Sequence, residues 1–72
     1  MKYIYVFKTN LRYKKDLLAI KPLLDGLEPI QHWNLDRDDR DKILRVETSK
    51  LCQDDITNMI KSAGYDCEEL QD

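Results

Sequence analysis

Cysteine, glycine, proline and histidine are all scarce in this chain of 72 residues: there are two of each of the first three and a single histidine. Two cysteines, Cys52 and Cys67, are too few for a disulfide framework and do not stand as a C-x-x-C pair, so both are expected as reduced thiols. With so little glycine and proline the chain has no linker, and neither an internal repeat nor a low-complexity tract is visible. No apolar run is long enough to cross a bilayer. The opening "MKYIYVF" is too short for the core of a signal peptide, and no small-residue cleavage site follows it. A cytoplasmic protein with no membrane partner is therefore expected.

What is present is charge. Acidic and basic residues make up 36% of the chain and the net charge is -2, with a mean hydropathy of -0.66. The apolar residues are spread along the whole length, which favours a folded domain over a disordered one. Residues 1–21 hold six basic side chains (Lys2, Lys8, Arg12, Lys14, Lys15, Lys21) against Asp16 alone, a local charge of +5, so residues 22–72 carry -7. A chain of this length makes one domain, here residues 1–72, and buries only ~60% of its unfolded surface.

"KYIYVFKT" at residues 2–9 is β-branched and aromatic and predicts a strand. Leu17, Ile20, Leu24 and Leu27 then fall at helical spacing, predicting a helix from about Tyr13 to Leu24 whose last turn Pro22 disturbs. "IQHWNLD" (30–36) and "KILRVET" (42–48) predict two antiparallel strands joined by the polar "RDDR". Ile56, Met59, Ile60 and Ala63 predict a second helix, Gln53 to Ala63, stopped by Gly64. "YDCEEL" (65–70) completes the pattern as a short strand. The order βαββαβ predicts an α+β, ferredoxin-like sandwich, with a four-stranded antiparallel sheet, two helices on one face and the other face open.

At this point the chain resembles the heavy-metal-associated domains of copper chaperones and copper-transporting ATPases. The resemblance is carried by "FKTNLRYKKD", "LLDGLEPIQHWNLD" and "LCQDDITNMIKSAGYDCE". In that family the first loop bears Met-x-Cys-x-x-Cys; here Leu11 falls on the methionine, Tyr13 on the first cysteine and Asp16 on the second. Cu(I) prefers soft thiolates, whereas a phenol has a pKa near ~10 and a carboxylate is a hard oxygen ligand. The resemblance therefore implies a degenerate member: non-enzymatic, without a cofactor or the family's metal, and working through protein or anion contacts. The alternative is a metal carrier with the unusual ligands Tyr13, Asp16 and Cys67. Cys52 and Cys67 are expected at opposite ends of the sheet.

Two surfaces remain as contact candidates. Arg12, Lys14 and Lys15 surround Tyr13 at the start of a helix, where cations and the positive dipole end favour an anion, and Tyr65 is expected near this interaction loop. On the first strand, Tyr3, Tyr5 and Phe7 form one row and Ile4 and Val6 the other. Whichever row faces outward, with Ile43 or His32, supplies a patch for a homodimer or another protein. The acidic pI of 5.3 and the absence of the aromatic-and-basic signatures of RNA-recognition modules argue against nucleic acid. The phosphate loop of acylphosphatase, an enzyme on this scaffold, cannot be placed. "DRDDRD" (36–41) lacks the glycine and terminal glutamate of a calcium loop and carries interleaved arginines that can neutralise it. His32 and Trp33 point to opposite faces of their strand, Trp33 towards the core. Cys52 takes the place of a helix cap, with Asp55 three residues on and no base nearby in sequence.

Overall fold

The computed structural model describes residues 2–70. The elements follow in the order β1 (Tyr3–Thr9), α1 (Lys14–Asp25), β2 (Ile30–Asp36), β3 (Ile43–Thr48), α2 (Gln53–Ser62) and β4 (Cys67–Glu69). The strands form one antiparallel sheet in the order β2-β3-β1-β4, the ferredoxin-like arrangement the element order predicts. Among the described residues no helix is long and apolar enough to cross a membrane.

The ladder register decides which face of β1 is covered. Phe7 pairs with Leu44 and Tyr5 with Val46, and Phe7, Leu44 and Val46 are fully buried with Ile20 and Leu24 of α1 and Ile56 and Ile60 of α2. Tyr5 packs at the margin of this core, its hydroxyl donating to the Leu51 carbonyl at 3.2 Å. The row Tyr3, Tyr5, Phe7 thus belongs to the helix side, and the alternative that it forms the outer patch is corrected. Ile4 and Val6 face outward, Ile4 with 60% of its surface exposed. Trp33 half-buries against the core and donates its indole N–H to Asp25 at 2.8 Å. Ala63, placed on the buried stripe by periodicity, is exposed because the helix has already ended there.

Helix α2 stops through two backbone bonds, Gly64 N–H to the Lys61 carbonyl at 3.0 Å and Tyr65 N–H to the Ile60 carbonyl at 3.3 Å, a Schellman closure. This closure needs a positive φ, and Gly64 has φ 96. Helix α1 runs past Pro22 for three further residues and ends at Gly26.

A local recurrence too sparse to read as a repeat in the sequence becomes visible in three dimensions. Thr9, Tyr13 and Asp16 are spaced as Thr48, Cys52 and Asp55 are. Each threonine ends a strand, is buried, and accepts N–H groups of the following loop: Leu11 at 3.2 Å for Thr9, and Lys50 and Leu51 at 3.3 and 3.2 Å for Thr48. Each aspartate, third in its helix, accepts the N–H of the N-cap residue, at 3.0 Å from Tyr13 and 3.1 Å from Cys52. Both β-to-α connections are built by one recipe. Thr48→Val keeps the shape but strands two donors, and should cost about 1–3 kcal/mol in urea unfolding. Gly64→Ala meets no steric obstacle, so its cost is conformational alone, about 1–2 kcal/mol; a variant as stable as the native chain would refute the Schellman account.

Candidate functional site

Loop 1, between β1 and α1, is held by a side chain that belongs to the helix. Asp16 is only 6% exposed, and one of its carboxylate oxygens accepts both the Arg12 N–H at 3.1 Å and the Tyr13 N–H at 3.0 Å. The Tyr65 phenol meets the same carboxylate from the segment after α2. These donors, the Tyr13 N–H foremost, hold the Asp16 carboxyl below the usual carboxylate range against the opposing effect of burial. Tyr65 moves the other way, its phenol raised by burial and then by the neighbouring carboxylate. Asn10 and Asp66 complete the tie: the Asn10 amide donates to the Asp66 carboxylate at 3.3 Å and accepts the Asp66 N–H at 2.9 Å.

The expected interaction residues divide accordingly. Arg12, Tyr13, Lys15 and Tyr65 line a shallow hollow of about 500 Å³ over loop 1, together with Asp16, whereas Lys14 is exposed outside it. Tyr13 is 60% exposed, with the Lys15 ammonium 5.6 Å from its ring centre, a cation–π contact. The α1 N-terminus does attract an anion, but the anion is its own Asp16.

The Cu(I) that the resemblance to copper chaperones implies asks for soft donors in one place, and the residues present do not fit it. Tyr13 is largely exposed, and the Asp16 carboxylate is engaged by two backbone N–H groups. Cys67 lies in the hydrophobic core, where burial pushes its thiol pKa up. Cys52 is exposed at the start of α2, where its thiol donates to Asp55 at 3.2 Å. As expected from topology, the cysteines are far apart: Cys67 pairs with Thr9 at one end of β1, while Cys52 follows Leu51 and Thr48, which lie at the Tyr3 end, about 20 Å away. Among the described residues no three histidine, cysteine or acidic side chains come together as metal ligands.

Sequence reasoning missed a second concavity beside loop 1. Lys8, Arg12, Arg40, Lys42 and Lys61 converge on a groove of about 580 Å³ bounded by Asp66 and Glu68. Its cations come from four separate segments, so no window of sequence shows them as a cluster. Two acids of "DRDDRD", whose interleaved arginines were expected to be able to neutralise it, instead serve the backbone. Asp36 accepts the N–H groups of Asp38 and Asp39 at 3.2 and 3.3 Å, and Asp39 accepts that of Asp41 at 2.8 Å.

The depressed Asp16 pKa fixes a sign for acid stability. Its contribution is complete above the unfolded carboxylate value, about 3.9, and disappears as pH falls through the lower folded value. The urea midpoint of the native chain should therefore fall between about pH 5 and pH 2, and that slope should be shallower in Asp16→Asn. At neutral pH, Asp16→Ala should lower Tm by about 4–8 °C, the scale of a lost helix cap.

No family model matches the chain, and no curated protein matches it significantly. Among solved structures it is similar to "The apo form of HMA domain of copper chaperone for superoxide dismutase", with a TM-score of 0.83 and 14% identity over 99% of this chain and 69% of that one. At that identity the likeness speaks for the backbone alone. The chain has the fold of a heavy-metal-associated domain.

Proposed function

We propose that this domain is a non-enzymatic contact module on a heavy-metal-associated fold, in which an internal carboxylate organises the loop that thiols and metal organise in copper chaperones. The observation that carries this reading is Asp16, buried and hydrogen-bonded to the N–H groups of Arg12 and Tyr13. A carboxylate that is buried and turned onto the backbone of its own loop is poorly placed to take a cation, and no thiol stands beside it. The alternative carrier with ligands Tyr13, Asp16 and Cys67 would need an exposed phenol, an occupied carboxylate and a core thiol to converge. A Cu(I) competition titration under anaerobic conditions tests the reading, with Tyr13→Cys/Asp16→Cys alongside. The native chain is expected not to compete while the double variant takes one Cu(I) per chain; tight binding by the native chain at one equivalent would overturn the proposal.

The open sheet face offers the second contact. Ile4 and Val6 lie outward between Glu47 and Arg45, their ladder partners, and His32 and Asn34 of β2 extend the same face. Apolar side chains flanked by both signs of charge suit a second copy of this chain, turned so that Arg45 meets Glu47. Sedimentation velocity should then show a concentration-dependent mass shift that Ile4→Glu abolishes. A native chain that stays monomeric into the millimolar range would remove this contact and leave only those around loop 1.

A further inference from the structure

The Asp16 carboxylate already places a negative charge at the start of α1, taking the N–H groups of Arg12 and Tyr13, and the groove beside loop 1 gathers the cations. Five cationic residues face two acids there, a local excess of positive charge on a chain whose net charge is -2. One of the two acids, Asp66, is already engaged, bound to Asn10 through both its carboxylate and its N–H, while Glu68 stands opposite Lys8 in the ladder. Lys8 also approaches Asp41 at 3.8 Å. Among the described residues, Arg12, Arg40 and Lys61 make no ion pair.

The walls are fixed before any ligand arrives. Thr9 binds the turn after β2 twice, its N–H to the Asp41 carbonyl at 3.1 Å and its hydroxyl to the Lys42 carbonyl at 2.6 Å. Lys42 holds a left-handed backbone, φ 49, and its ammonium closes the turn on the Arg37 carbonyl at 2.6 Å. The turn carrying Arg40 is thereby clamped to the start of the loop carrying Arg12. Such preorganisation lowers the ordering cost of binding.

We propose that this groove, lined by Arg12, Arg40 and Lys61, binds a compact phosphate-bearing polyanion. Guanidinium groups present paired donors that match phosphate oxygens. The lining contains no aromatic or large aliphatic side chain, so it lacks the anchor that usually dominates a peptide interface and the platform that stacks a nucleobase. A small, multiply charged oxyanion needs neither. The inference rests on the metal-free reading of loop 1 and deepens its anion contact.

The test is a heteronuclear NMR titration of the native chain with pyrophosphate. Saturable, one-to-one shifts are expected at Asn10, Arg12, Arg40 and Asp66, weakening as ionic strength rises from about 20 to about 200 mM. Arg12→Glu/Arg40→Glu should reduce affinity by about tenfold or more. Lys21→Glu/Lys50→Glu makes the same change of charge away from the groove and should stay within about twofold. Shifts that never saturate, or equal weakening by both double variants, would overturn the site in favour of diffuse attraction. Hexaglutamate binding the groove more tightly than pyrophosphate would overturn the ligand class in favour of an acidic peptide. The Cu(I) titration separates the two failures: if pyrophosphate fails and the native chain takes no copper, only the groove is lost, whereas copper uptake removes the reading beneath it.

Discussion

One buried carboxylate decides what this domain can be. Asp16 gathers the N–H groups of Arg12 and Tyr13 and so ties loop 1 to the start of α1, with Tyr65 of the segment after α2 beside it in the same hollow. Leu11, fully buried, sits inside the loop that Asp16 closes, and its N–H is taken by Thr9. An aspartate is well suited to this position because a carboxylate accepts several donors at once and complements the helix dipole. A thiolate pair would leave the same N–H groups with weaker acceptors and would rely on a bound metal to order the loop.

The same device at Asp55 marks this as an architectural solution. Thr48 and Asp55 do for the second β-to-α connection what Thr9 and Asp16 do for the first. A ferredoxin-like sandwich is two βα units followed by strands, and each unit must satisfy the loop donors between strand end and helix start. Where the halves differ is in the N-cap, a phenol on one side and a thiol on the other. Neither N-cap side chain makes a cap hydrogen bond, and in both halves the aspartate takes the N–H of the N-cap residue.

Much of the fold was legible because periodicity and composition agreed. The strand "KYIYVFKT" and the Ile56–Ile60 spacing place their elements within a residue of the observed ends, and Gly64 marks the helix stop through the one backbone conformation that needs it. Which face of β1 lies inside was not legible, because Tyr3-Tyr5-Phe7 and Ile4-Val6 are both apolar and only the ladder with β3 separates them. The Asp16 bonds were half legible: the spacing of Tyr13 and Asp16 is that of a capping pair, but comparison with a thiol motif directs attention to what the residues lack. The Thr-x-x-x-N-cap-x-x-Asp recurrence was present in the sequence, though too sparse to stand out as a repeat. The basic groove was illegible because Lys8, Arg12, Arg40 and Lys61 are distant in sequence and meet only through sheet pairing and the clamp from Thr9 to the turn after β2.

Charge and hydrogen bonding together explain why the cations accumulate where they do. The carboxylates near loop 1 are taken up by amide donors: Asp16 by the backbone of its own loop, Asp66 by the Asn10 side-chain amide, Asp36 and Asp39 by the backbone of the turn. Each such bond converts a mobile surface acid into a fixed structural acceptor, aimed at an amide and away from neighbouring cations. Arginine and lysine have no acceptor capacity and cannot substitute in that role, so they remain at the rim. An acidic chain thus presents a basic concavity, and it does so through the interactions that hold its loops in shape.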